Sequence, residues 1–301
     1  MAADAALMRL ARLAAGVPLP RLHAAGALLG RLAYRFSSRF RARLEENLAQ
    51  AGYTDPALAI AASAEIGKGV LELPRLWLRP HEEVAALVVR VEDEPVLARA
   101  LALGRGVIFL TPHLGCFEIT AQWYTRRAPL TILYRPPRKA ALAPLMLAGR
   151  SRPNMRTATT DLAGVRTLLK ALRAKEAIGM LPDQVPSRGE GDWASFFGRP
   201  AYTMTLAVRL AKSTGAPIVI AYAERLPAAA GYVLRFLPMP ERRAEESGGA
   251  WVNRAMEDVV RRLPVQYLWA YNRYKRPAGA EPPPAAAGDG GRERPSVLRD
   301  A

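Results

Sequence analysis

The stretch Thr111-Pro112-His113-Leu114-Gly115-Cys116-Phe117-Glu118 sets an imidazole five residues before a carboxylate. It lies where an apolar, strand-like run, Gly106 to Leu110, gives way to an amphipathic, helix-like segment. A neutral imidazole takes a proton from a hydroxyl when a second group fixes its tautomer and stabilises the imidazolium that forms. A carboxylate just past the turn is placed for that task. The spacing alone is weak. A lone histidine is commonly a surface or satisfied core residue, and a glutamate in a helix's first turn ordinarily compensates the dipole. The setting adds weight, because the histidine follows directly on a buried strand and a proline.

Two further constellations accompany the pair. Tyr134-Arg135-Pro136-Pro137 and Arg150-Ser151-Arg152-Pro153-Asn154 carry arginines near strand ends, where they can hold a phosphate or another acid through charge-assisted, bidentate bonds. In an arginine-rich chain the same residues also describe a solvated basic face. Leu181-Pro182-Asp183-Gln184-Val185-Pro186 places an acid directly after a strand and a proline. Phe196 and Phe197 then offer an apolar wall, and Thr203 has the form of an N-cap for the next helix. No G-x-S-x-G elbow, P-loop or G-x-G-x-x-G is present. Cys116, the single cysteine, leaves no internal disulfide or multi-cysteine metal site and reads as a small buried apolar residue rather than a nucleophile. With His23, His81 and His113 as the only histidines, neither a metal nor another cofactor is expected.

These residues need a scaffold. Strand-like runs fall at Val107–Thr111, Leu130–Tyr134, Ala177–Leu181, Pro217–Tyr222 and Tyr232–Leu237. Helix-like runs lie between them at about 116–126, 139–150, 161–174 and 203–214, with a last one at about 249–262. Earlier, Asp55-Pro56 opens a helix that Pro74 should end, and Glu94-Pro95 opens one that Gly104 should stop. The alternation predicts an α/β fold with a largely parallel central sheet flanked by helices. Sites in such sheets sit at the carboxyl ends of strands, where both His113 and Asp183 fall.

The charge has its own message. A net +16 over 301 residues calls for an acidic partner or surface. Eight arginines precede residue 44 against one acid, Asp4. From Leu22 onward Ala25, Gly26, Leu29, Ala33, Phe36, Phe40 and Leu44 recur on one side of a helix, while Arg31, Arg35 and Arg39 climb the other. That predicts a basic amphipathic helix lying in a membrane interface, the same pattern also suiting an ordinary helix that covers the core. No charge-free apolar run is long enough for a conventional transmembrane helix. Residues 1–45 therefore read as a membrane-association segment, 46–276 as the catalytic domain, and 277–301, rich in Pro, Ala and Gly, as a disordered tail.

Taken in order, the motifs resemble the late acyltransferases of lipid A biosynthesis, the lauroyl and myristoyl transferases within the wider lysophospholipid acyltransferase superfamily. The resemblance runs from about Leu22 to Pro277. It rests on Leu29-Gly30-Arg31-Leu32-Ala33-Tyr34-Arg35, the His-x4-Glu pair, Tyr-Arg-Pro and Arg-x-Arg. The Pro-Asp-Gln turn, Phe-Phe-Gly-x-Pro-Ala-x-Thr, Gln266-Tyr267-Leu268-Trp269 and Arg273-Tyr274-Lys275-Arg276-Pro277 complete it. It implies a glycerol-3-phosphate acyltransferase-like fold, an acyl carrier protein thioester as donor, an anionic glycolipid acceptor, and work on the cytoplasmic face of the inner membrane. It further implies His113 as general base, Glu118 as its orienting carboxylate, Arg152 with Arg150 for acceptor phosphate or developing charge, and Asp183 in the substrate site. Arg135 joins the basic set. Trp123, Phe196 and Phe197 are the candidates for an acyl groove. The sequence departs from relatives that carry a clear spanning helix, since Arg21, His23 and Arg31 interrupt this one.

Two other readings fit parts of the pattern. One keeps the chemistry with a different glycolipid or phospholipid acceptor. The other is a non-enzymatic basic protein bound to membrane or nucleic acid. The arginines are dispersed and no base-stacking aromatic pattern accompanies them, so no nucleic-acid partner is expected.

Overall fold

A computed structural model describes residues 2–135, 137 and 142–284. Three helices lead the chain: α1 (Ala2–Gly16), α2 (Leu19–Phe36) and α3 (Ser38–Gln50). The single amphipathic helix expected from Leu22 to Leu44 is broken at Ser37, whose extended backbone ends α2 and whose hydroxyl accepts the Phe40 N–H as the cap of α3. The break divides the expected apolar face. Leu22, Gly26 and Leu44 are buried, whereas Leu29 and Phe36 stand in solvent.

The long α4 (Pro56–Leu78) is capped by Asp55, which accepts the Ala57 N–H. It runs through Pro74 instead of ending there. A proline inside a helix removes one hydrogen bond, so packing must carry the last turn. Leu76 and Trp77, both buried, supply that packing. The helix meets α2 backbone to backbone: a Cβ on Gly67 would lie 1.9 Å from the Gly26 carbonyl oxygen. Only glycine admits that approach.

Beyond α4 come α5 (His81–Ala85), β1 (Val88–Glu92), α6 (Glu94–Ala102), β2 (Val107–Leu110), α7 (Phe117–Tyr124), β3 (Leu130–Leu133), α8 (Ala143–Arg150) and β4 (Met155–Ala158). Then follow α9 (Leu162–Arg173), β5 (Ala177–Met180), β6 (Gly191–Phe196), β7 (Arg199–Met204), α10 (Leu206–Thr214), β8 (Ile218–Arg225), β9 (Tyr232–Pro238) and α11 (Gly248–Arg262). The expected start of one helix at 139, and residues 285–301 of the expected tail, lie outside the described residues.

The sheet has the order β1-β9-β8-β2-β5-β3-β4. Strands β8, β2, β5, β3 and β4 are mutually parallel, while β9 runs antiparallel to β8 and parallel to β1. Helices cover both faces, which is why Val107-Ile108-Phe109-Leu110 is buried at every position rather than at alternate ones. Ile108 and Leu110 join a core with Leu168, Leu210 and Val259 of α9, α10 and α11. Val107 and Phe109 face the other way, into a core with Leu76, Leu97 and Ile119 of α4, α6 and α7.

The periodicity concealed β1, β4 and the hairpin β6–β7. Phe197 and Gly198 form its turn with φ of 48° and 77°, the positive pair that a tight hairpin needs. Thr203 belongs to β7 and does not cap α10. It is buried, and its hydroxyl meets Asn253 and Arg273. Among the described residues no helix is long and apolar enough to cross a membrane.

Candidate active site

Neighbouring parallel strands bring the two strand-end motifs together. Leu110 pairs with Met180, and the Thr111 N–H donates to the Met180 carbonyl at 3.0 Å. The chain therefore leaves β2 and β5 at the same edge, three residues before His113 and Asp183. Asp183 takes His113 at two points. Its Oδ2 accepts the His113 backbone N–H, and its Oδ1 accepts Nδ1–H, both at 2.9 Å. Asp183 is buried, which by itself would raise its pKa. The facing His113 and these hydrogen bonds outweigh burial and hold the carboxyl below its ordinary value. A carboxylate on Nδ1 selects the tautomer that leaves the Nε2 lone pair outward. The side-chain nitrogen of Gln184 lies 3.0 Å from that Nε2.

The His113 loop is held from below. Gly115 has φ of 57°, and a Cβ there would lie 2.0 Å from the Ala223 carbonyl oxygen. Its N–H donates to the Gln266 carbonyl at 3.0 Å, the Cys116 N–H to the Ala223 carbonyl at 2.8 Å, and the Leu268 N–H to the His113 carbonyl at 3.0 Å. The late Gln266-Tyr267-Leu268 motif is thus a strap on the loop. Beneath it, Arg225 donates to Glu72 through Nη2 at 2.6 Å and Nε at 3.0 Å, and to the Gly115 carbonyl at 3.2 Å. His23 and the Tyr232 hydroxyl each reach Glu72 at 2.8 Å. Burial alone would raise Glu72, but Arg225 and His23 bring it down to about 2. Burial, with Glu72 nearby, pushes the Cys116 thiol well up, so the thiolate a nucleophile needs is suppressed.

Glu118 does not orient His113. Its Oε1 accepts from Arg150 Nη2 at 3.0 Å and its Oε2 from Trp77 Nε1 at 3.1 Å. The first turn of α7 aims it toward α4 and α8, so the carboxylate expected on the imidazole nitrogen is supplied by Asp183 instead. Arg150 also lies 4.9 Å over the Tyr134 ring. Arg152 serves the scaffold: Nη2 donates to the carbonyls of Leu76, Trp77 and Arg79 at 2.9–3.1 Å, completing the end of α4, and Nε donates to Gln122. Arg135 is exposed and donates to Ser187 at 3.3 Å.

An apolar slot lies between α7 and the sheet, walled by Phe109, Phe117, Tyr124, Leu130, Ile132 and Gly179, with Glu118 and Arg150 as its charged lining. Two polar atoms among its lining residues, Thr120 Oγ1 and Arg150 Nε, are buried without a hydrogen-bond partner. None of the three aromatic groove candidates lines it. Trp123 packs on Phe236 and under Arg127, while Phe196 and Phe197 pack on one another and toward Tyr274 and Trp269 in the opposite core. Large aromatics in a hairpin or on a helix fill cores first, and the slot is made by strand residues that face α7. Sequence reasoning also missed Trp77, Glu72 and Arg225, which act at long separations. The Gln184 contact carried a signal, its place beside Asp183.

Comparison with known proteins agrees over nearly the whole chain. The family model described as bacterial lipid A biosynthesis acyltransferase matches residues 4–276. The chain is 26% identical to the lipid A biosynthesis lauroyltransferase of Escherichia coli K12 over 274 residues, covering 87% of this chain and 88% of that protein. It is 27% identical to the lipid A biosynthesis palmitoleoyltransferase of the same strain over 272 residues, again 87% and 88%. A lipid A biosynthesis acyltransferase of Shigella flexneri matches to the same extent.

The buried pair under the loop yields a stability test. Glu72→Gln leaves Arg225 with Glu65 as its remaining carboxylate partner and should lower unfolding stability by about 3 kcal/mol, measured in urea at neutral pH. Because the folded value of Glu72, about 2, lies below its ordinary 4.5, its contribution is complete above pH 4.5 and is lost as pH falls toward 2. The gap between parent and variant should close over that window. A gap of constant size would refute the assignment.

Proposed function

Because the chain belongs to the bacterial lipid A biosynthesis acyltransferase family, we propose that it moves a fatty acyl chain from an acyl carrier protein thioester to a hydroxyl of a lipid A precursor glycolipid. The observation that carries the chemistry is His113 held through Nδ1 by the buried Asp183, at the parallel strand ends and close to an apolar slot. In this reading the acceptor hydroxyl binds at Nε2. His113 takes its proton as the oxygen attacks the thioester carbonyl, the C–S bond breaks, and the proton returns to the departing thiol. Asp183 keeps the tautomer and stabilises the imidazolium. Glu118 holds Arg150 beside the slot, and the unpartnered Arg150 Nε and Thr120 hydroxyl are the groups suited to the thioester carbonyl. No covalent acyl-enzyme is needed, since Cys116 is buried and burial pushes its thiol well up.

The slot takes the acyl chain in this proposal, and Gly179 leaves its floor open. A Cβ there would meet Ile132 and Leu130 at 3.5 and 3.6 Å, ordinary contact distances, so a side chain fits the backbone while occupying the slot. The acceptor's phosphates approach through Arg135 and the surrounding basic surface. Membrane association, at the cytoplasmic face of the inner membrane, falls to α2. Leu28, Leu32 and Phe36 follow one another at four-residue steps along its exposed side, with Arg31 and Arg35 on the adjacent line.

Three measurements test these assignments. His113→Ala and Asp183→Asn should each lower kcat for transfer to a lipid A precursor by about 10²–10⁴-fold while the fold survives. The double variant should be no slower than His113→Ala alone, because Asp183 acts through His113. Near-parental activity in either single variant would sink the mechanism. Gly179→Val should shift the products to shorter acyl chains in mass spectra of the glycolipid, and an unchanged length distribution would place the chain elsewhere. Leu28, Leu32 and Phe36 changed together to Ser should release the protein from vesicles containing anionic lipid, and retained sedimentation with vesicles would refute the role of α2.

A further inference from the structure

The atom that must receive the acceptor's proton is already occupied. Gln184 places its side-chain nitrogen 3.0 Å from His113 Nε2, and the far side of the ring fixes the direction of that bond. Asp183 is held as a carboxylate and takes Nδ1–H, so Nε2 of the neutral ring is a lone pair and the Gln184 amide is its donor. At this distance the amide nitrogen stands where the oxygen of a hydroxyl bound to Nε2 would stand. Any hydroxyl, water included, reaches the lone pair only by displacing it.

The surroundings fix the Gln184 main chain and leave its side chain room. On one side Asp183 is buried and bonded twice to His113. On the other, Val185 is buried and its N–H donates to the Tyr271 hydroxyl at 2.9 Å. The Gln184 side chain is half-buried and borders a cleft walled by Leu133, Arg135, Thr160 and Met204.

We infer that Gln184 is a reversible cap on the catalytic base, which keeps water from Nε2 until the acceptor hydroxyl displaces the amide. The inference rests on the acyl-transfer reading above and extends it to the choice between transfer and hydrolysis. A water bound at Nε2 gives its proton to His113 as its oxygen attacks the thioester carbonyl. The C–S bond then breaks and the proton passes to the thiolate, leaving a free fatty acid and a thiol. The acceptor hydroxyl follows the same course to an ester and the same thiol. One base serves both reactions, so the outcome turns on which oxygen displaces the amide. Water offers a single hydrogen bond in exchange. A glycolipid brings contacts along its whole bound surface, and those drive the displacement.

The test is hydrolysis of a dodecanoyl thioester of acyl carrier protein with no glycolipid present. Gln184→Ala should hydrolyse it about tenfold faster than the parent, the factor that one neutral hydrogen bond is worth. Adding His113→Ala should return the rate to background. A merely structural role would not produce the accompanying signature in ¹⁵N spectra of the three histidines. The His113 Nε2 resonance should move in Gln184→Ala, and in Gln184→Ser as a second variant, while Nδ1 keeps its proton. Parental hydrolysis, or an unmoved Nε2 resonance, overturns the cap. A parent that passes no acyl chain to a lipid A precursor defeats the acyl-transfer reading, whereas the resonance still reports whether the amide sits on Nε2.

Discussion

A buried ion pair, Glu72 with Arg225, holds the structure around the His113 loop. Glu72 is on α4 and Arg225 ends β8, 153 residues later, so their two hydrogen bonds clamp the long helix onto the sheet. Burying both charges is unfavourable unless every remaining valence is met. Here His23 from α2, the Tyr232 hydroxyl from β9, Glu65 and the Gly115 carbonyl meet them. One network therefore joins α2, α4, β8, β9 and the turn that carries His113. Removing a partner strands a charge, so the elements are secured together rather than one by one.

Above that anchor the site is assembled by strand register. Residues leaving β2 and β5 emerge side by side because Leu110 and Met180 are paired, and a parallel sheet directs both chains to the same edge. Asp183 then fixes the imidazole twice, through the ring and through the backbone of the same residue. That double contact sets position as well as tautomer, the kind of preorganisation a proton-transfer centre requires. The strap from Gln266 to Leu268 and the glycine at 115 serve the same end by removing freedom from the loop.

Much of this was legible in the chain. The alternation of apolar runs and amphipathic segments located five of the sheet strands to within a few residues, because strands buried on both faces are continuous apolar blocks. Asp55-Pro56 and Glu94-Pro95 marked helix starts through local chemistry. The edge strand β1, the short β4 and the hairpin β6–β7 escaped, since half-exposed strands with charged residues carry no such block. Pro74 misled because a local rule was overridden by packing of Leu76 and Trp77 and by Arg152 closing the helix end. Ser37 misled in the other direction, for an amphipathic pattern can continue across a break that reorients its second half.

The order of residue types along the chain places His113 and Asp183 at strand ends, and so both in the candidate site. It also determined the α/β alternation and the basic N-terminal section, because these are set by composition and period along the chain. Which carboxylate meets the imidazole is settled by packing and strand pairing. Glu118 is five residues away in sequence, but α7 turns it toward Arg150 and Trp77. Asp183 is 70 residues away and arrives through the pairing of adjacent strands. Helical geometry governs where a near neighbour points, whereas sheet register governs which distant residue it meets.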